Sequence, residues 1–138
     1  NCPKKRNKMD LKHVALVCSS EKTSDKFYQD LLGLRKINSK ILSREFSRQI
    51  FNLDAEYKIV NYADDNIHFE IFISDHEKSG KDNKKIEHIC IEIEELETFL
   101  KKCHSMGVKI LQIPKAGKLI TFVSDYDGNL FEIKAKNL

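Results

Sequence analysis

Four residues of this 138-residue chain belong to types that hold metal ions and move protons, and their positions repeat. His13 in 11-LKHVALV-17 aligns with His88 in 86-IEHICIE-92, and Glu70 in 65-DNIHFEI-71 aligns with Glu132 in 127-DGNLFEI-133. Two neutral imidazoles and two carboxylates form an N₂O₂ donor set. Such a set suits one divalent ion (Ni, Zn, Co, Mn or Fe) with positions left for water or substrate. A single strand histidine or glutamate is usually exposed or locally hydrogen-bonded, so it is the matched places in a repeat that single these four out. His68 falls two residues before Glu70 on the same strand face, where it either supports a ligand or sits at the rim.

The elements that must position these residues also repeat. Residues 11–18 read as a strand stopped by Ser19-Ser20, and Ser20 or Thr23 can cap a helix over 22–32 that Gly33 ends. Strands follow at 34–42 and 67–73, with one or two more expected within 46–62. The second half gives a strand at 86–93, a helix at 95–106 stopped by Gly107, and strands at 108–113, 119–123 and 130–135. The order is β-α-β-β-β, twice. It predicts an α+β fold: tandem βαβββ modules forming a curved, mixed eight-stranded sheet around a metal cleft. Residues 1–9 read as a disordered leader, 10–74 as the first module, 75–85 as a polar linker and 86–138 as the second module, all in one structural domain.

Side-chain alternation assigns faces to the strands. Ile89, Ile91 and Ile93 share one face, with His88, Cys90 and Glu92 on the other. Phe69, Ile71 and Ile73 oppose Glu70, and Phe131, Ile133 and Ala135 oppose Glu132. Strand 11–18 is apolar on both faces. The first half has the longer interval between its histidine and its glutamate, so its middle hairpin is expected to be long enough to serve as a wall or lid. In that region Arg44, Arg48 and Tyr57 are candidates to meet an anionic substrate. Phe72 and Thr121 complete the candidate substrate-binding set with Arg48 and Tyr57.

The composition is that of an ordinary globular domain, 41% hydrophobic and 33% charged, with a net charge of +3. No basic stripe interleaved with aromatics points to nucleic acid, and no run of about 18 apolar residues points to a membrane span. Cys2, Cys18, Cys90 and Cys103 lack metal-site or disulfide-scaffold spacing and are expected to be reduced thiols in a cytoplasmic protein. Cys18 and Cys90, on strands, are expected in the core.

The opening 12-KHVALVCSSEKTSDKFYQDLLGLRKI-37 and the ending 122-FVSDYDGNLFEI-133, within the duplicated βαβββ order, resemble the vicinal oxygen chelate superfamily. That group includes glyoxalase I, fosfomycin-resistance proteins, bleomycin-binding proteins, methylmalonyl-CoA epimerase and extradiol dioxygenases. The resemblance spans about Asp10 to Ala135. It implies a divalent metal at His13, Glu70, His88 and Glu132, the ligand set of glyoxalase I. The similar epimerases carry Gln in place of Glu70, and the fosfomycin enzymes use three protein ligands. It further implies a glyoxalase I-like lyase or isomerase (lactoylglutathione lyase-like) that abstracts a proton next to a carbonyl of a small α-oxo or hemithioacetal-type substrate. Glu132 is then the first choice as general base and Glu70 the second. A homodimer is expected. Val17 and Ser74 stand where bacterial glyoxalase I usually has the Arg and Asn that hold glutathione, so that contact does not carry over. The alternative is a non-catalytic antibiotic-type binding or resistance protein of the same fold.

Overall fold

A computed structural model describes residues 11–74 and 88–136. The expected leader and linker, with Cys2 and His76, lie outside the described residues. The first module comprises β1 (Val14–Cys18), α1 (Glu21–Ser24), β2 (Arg35–Leu42), α2 (Arg44–Phe51), β3 (Tyr57–Ala63) and β4 (His68–Ile73). The second comprises β5 (Ile89–Ile93), α3 (Leu96–Ser105), β6 (Lys109–Lys115), β7 (Lys118–Ser124) and β8 (Leu130–Ala135). The eight strands form two mixed four-stranded sheets, one per module, ordered β1-β4-β3-β2 and β5-β8-β7-β6. In each, the first strand runs parallel to the last while the other pairings are antiparallel.

Ser20 starts α1 by accepting a hydrogen bond from the Thr23 amide at 3.2 Å. The helix then widens into a π-helical stretch, Asp25–Leu31. There the amide of Leu32 reaches back to the Phe27 carbonyl at 3.0 Å, and Gly33, at φ 77°, ends the run. This stretch buries Phe27, Tyr28 and Leu31 together. Phe27 packs on Phe131 of β8 with ring centroids 5.4 Å apart, and Tyr28 packs on Phe69 of β4 at the same separation. Phe69 and Phe131 meet each other at 5.9 Å, so a single aromatic core joins the two modules. Burying each ring fully stabilises the fold by about 1.5–3 kcal/mol.

Polar contacts tie α1 and its π-helical extension to the sheet of the first module. Lys36 Nζ donates to Glu21 Oε2 at 2.7 Å and to Asp25 Oδ2 at 3.0 Å, and Lys58 Nζ donates to Glu21 Oε1 at 2.7 Å. Tyr62 donates its hydroxyl proton to Asp25 Oδ1 at 2.7 Å. The bonds from Lys36, then Lys58, hold the Glu21 carboxyl below its ordinary range.

Three expectations are corrected. Residues 44–51, partly placed in strands, form helix α2, and the strand begins only at Tyr57. Ser43 caps α2 by accepting from the Phe46 amide at 3.3 Å, and Asn52 stops it in a left-handed conformation at φ 57°. With Glu, Gln and two Arg and neither Gly nor Pro, this segment favours helix. Cys90 is exposed rather than in the core, although Cys18 and Cys103 are buried. Burial pushes the Cys103 thiol up to about 11. Ala135 is exposed, unlike Phe131 and Ile133 on the same strand.

Candidate metal centre

Each sheet has a face turned away from the aromatic core, and the four aligned residues border these open faces. His13 immediately precedes β1 and His88 immediately precedes β5. Glu70 and Glu132 stand within β4 and β8, paired in register with Ala15 and Cys90 of the neighbouring parallel strands. His13 Nε2 lies 3.3 Å from Glu70 Oε1, and His88 Nε2 lies 3.7 Å from Glu132 Oε1. All four side chains keep some contact with solvent. For donors at about 2.0–2.2 Å from a divalent ion, adjacent ligand atoms stand roughly 3.0–3.5 Å apart. The first pair already has that separation and the second is close to it. The residues fit a metal, two ligands at a time.

The pairs do not converge within one chain. No three of these four residues have ligand atoms within 4.8 Å of one another. Each module brings one imidazole and one carboxylate together.

The surroundings of the two halves differ. In the first sheet the row across the strands reads Ala15, Glu70, Asn61, Asn38. Asn61 Nδ2 donates to Asn38 Oδ1 at 2.8 Å, which leaves Asn61 Oδ1 to accept from His68 Nε2 at 2.7 Å. The His68 ring lies 5.6 Å from that of His13. Asn38, Asn61 and His68, with Ile37 and Lys40, wall a cavity of about 210 Å³ that includes Glu70. In the second sheet the matching row reads Cys90, Glu132, Phe122, Leu111, and the Phe122 ring lies 5.9 Å from His88. One half is polar and the other largely apolar.

The candidate substrate contacts separate. Tyr57 and Phe72 face the same open side as Glu70, with rings 6.0 Å apart, and both line an apolar cavity. Arg48 projects from α2 toward Asp54, 3.9 Å away, and Arg44 pairs with the same carboxylate at 3.5 Å, both exposed. Thr121 pairs with Ile133 on the core side of β7 and accepts from Gln112 at 3.1 Å, so it does not face Glu132. Phe122, its neighbour in sequence, takes that place. An alternation argument carried across β7 and β8 could have found this, but only with the register known.

A further cluster, Cys18, Asp125 and Asp127, also has ligand-type atoms within 4.8 Å. The Asp125 carboxylate is already saturated. It accepts from Tyr28 Oη at 2.9 Å, Asn129 Nδ2 at 2.7 Å and Cys18 Sγ at 3.3 Å. The amides of Asp127 and Asn129 add two more bonds at 2.9 Å each. Burial, then the Asp125 charge, pushes the Cys18 thiol up, which favours the protonated donor over a thiolate ligand. We read this cluster as a latch that fixes the β7–β8 turn to β1 and to the π-helical stretch. Sequence reasoning missed its role, although the signal lay in the turn motif 125-DYDGN-129.

Comparison with known proteins agrees with this fold. The family model described as the Glyoxalase/Bleomycin resistance protein/Dioxygenase superfamily matches residues 10–133. A glyoxalase family protein from Enterococcus faecalis superposes with a TM-score of 0.66 at 21% identity, covering 90% of this chain and 95% of its own. The genomically encoded fosfomycin resistance protein FosX from Listeria monocytogenes gives 0.68 at 17% identity, with 96% and 97% covered. The trypanothione-dependent glyoxalase I of Leishmania major gives 0.66 at 21%, with 89% and 84% covered. At these identities the likenesses establish the fold alone. No curated protein matches the chain. Among the described residues, no helix is long and apolar enough to cross a membrane.

Proposed function

Because the chain belongs to the glyoxalase/bleomycin resistance protein/dioxygenase superfamily, we propose that it is a divalent-metal-dependent, glyoxalase I-like lyase or isomerase acting on a small α-oxo or hemithioacetal-type substrate. The observation that carries this reading is the matched geometry of the His13–Glu70 and His88–Glu132 pairs. Two half-sites that do not meet within a chain are completed by a second copy. His13 and Glu70 of one protomer would then face His88 and Glu132 of another, so that a homodimer holds two sites. The exposed Leu111 and Ile113 in the second module supply apolar surface that such pairing would cover.

When bound, a divalent ion supplies Lewis-acid polarisation of the substrate oxygens. Glu132 is the general base: its carboxylate removes the proton next to the carbonyl and returns it to the adjacent carbon. Lys134 Nζ lies 4.0 Å from Glu132 Oε2 at the exposed edge of the site. Glu70, His13 and His88 orient the site. His68, held by Asn61, fixes the polar wall beside Glu70. Replacing Glu132 with Gln tests the assignment: the variant should keep metal and lose turnover, and survival of turnover would sink it.

A second reading, capture of a small molecule without turnover, draws on the apolar cavity beside the site and on Val17 and Ser74 in its wall. Conversion of α-oxo substrates by the metal-loaded protein separates the two.

A further inference from the structure

The open face of the first sheet is graded along its strands. At one end stand His13, His68 and Asn61, joined by ring contact and hydrogen bonds. Glu70 lies in the middle. About 6.6 Å further along β4 comes Phe72, on the same face as Glu70. Phe72 is the floor of a cavity of about 240 Å³ roofed by Phe51 and Leu53 at the end of α2 and walled by Val17 and Tyr57. The ring centroids of Phe51 and Phe72 are 5.7 Å apart in an edge-to-face arrangement. Among the described residues lining this cavity, the only polar side-chain atoms are the hydroxyls of Ser74 and Tyr57. Among the described residues, no cationic side chain lines it to meet a carboxylate.

We propose that this cavity is a binding subsite for an apolar arm, an alkyl or aryl substituent of several carbons, on a substrate whose oxygens are held at the His13–Glu70 end. The volume suits an arm rather than a whole drug-sized molecule, whose pockets measure about 300–1,000 Å³. The ligand is then amphipathic: a vicinal-oxygen head and an apolar tail set along β4, in place of a charged peptide-like thiol. The polar cavity holds His68 and Glu70 with Lys40 in its wall, and the apolar one holds Phe72, so such a molecule runs from the first toward the second. The inference rests on reading His13 and Glu70 as metal ligands, but the cavity itself can be probed without metal.

The test has two arms. In the first, protein loaded with Zn(II) is titrated with n-alkyl hydroxamates from acetohydroxamate to octanohydroxamate, a series in which the chelating head is constant. Kd is expected to fall by about fourfold per methylene until the cavity is full, the gradient that burial of methylenes produces. Val17→Lys, a change at an exposed position, should weaken octanohydroxamate by tenfold or more. Ile41→Lys, exposed on the other face of β2, should leave the chain-length series unaltered. In the second arm, n-hexanol is added to protein without metal, and the methyl resonances of Leu16, Val17 and Leu53 are followed. They should shift saturably. A flat hydroxamate series on metal-loaded protein overturns the proposal even where hexanol binds, because the cavity then does not serve the site. Failure to take up Zn(II) is a failure of the proposed function. The hexanol titration then decides alone, and methyls that do not move overturn the subsite.

Discussion

Glu70 Oε1 stands 3.3 Å from His13 Nε2, a donor pair brought together by two parallel strands whose residues are more than fifty positions apart in sequence. The second module repeats the arrangement with Glu132 and His88. Parallel pairing of the first and last strands of a βαβββ unit produces this result, because it sets the starts of the two strands side by side. Neither pair depends on the other module for its geometry.

Stability concentrates at Asp125. Replacing it with Ala removes the acceptor for Tyr28, Asn129 and Cys18 and strands two amides, all close to the aromatic core. A loss of about 3 kcal/mol is expected in urea unfolding. Asp125→Asn, which keeps one acceptor oxygen, should cost less. A loss under about 1 kcal/mol for the Ala variant would contradict the latch.

Helix α2 offers a gain. Ser47 is its one buried residue, and its hydroxyl has no hydrogen-bond partner. Ser47→Ala removes an unsatisfied polar group and improves helix propensity, so it should stabilise the protein by about 1 kcal/mol. A destabilised variant would mean that the hydroxyl is satisfied by a contact such as bound water.

The Glu21 contacts set a pH dependence. Its folded-state carboxyl is held below the ordinary value of 4.5 by Lys36 and Lys58, so its contribution to stability is present above that value. That contribution is lost as pH falls through the lowered folded-state value. Lys36, whose affinity for its proton is raised by Glu21 and then Asp25, keeps its charge throughout this range. Melting temperatures of wild type and Glu21→Gln should therefore differ at neutral pH and converge in acid. A constant gap down to pH 2 would contradict the assignment.

Thiol accessibility follows burial. Alkylation of the native protein, read peptide by peptide by mass spectrometry, should label Cys90 quickly and leave Cys18 and Cys103 protected until unfolding. Equal labelling of Cys90 and Cys103 would place β5 wrongly.

Much of this architecture is legible in the residues themselves. The Phe-Glu-Ile copies locate β4 and β8, and the alternation of Ile89, Ile91 and Ile93 sets Glu132's neighbours on the open side. Other features required three-dimensional pairing. Segment 44–51 places Phe46, Ile50 and Phe51 at helical spacing between a Ser cap and an Asn stop, but its apolar side chains remain exposed, so burial gives no sign of the helix. Cys90 lies on the same face as His88, and that shared face outweighs the usual preference of a strand cysteine for the core. The face occupied by Thr121 follows from the β7–β8 register, which a single strand does not reveal. The saturation of Asp125 by donors from β1, the π-helical stretch and its own turn is long-range, and the motif alone marks only the turn.

The most direct test of the central claim is metal content in a cross-complementation experiment. Wild-type protein, freed of tag and chelator and offered Ni(II) or Zn(II), should hold about one ion per chain. His13→Ala and His88→Ala should each hold none. When the two variants are mixed and allowed to exchange subunits, half of the dimers carry one intact site, which restores on the order of a quarter of the wild-type metal. Full metal content in either single variant, or no uptake by wild type, would contradict a site built from these two pairs.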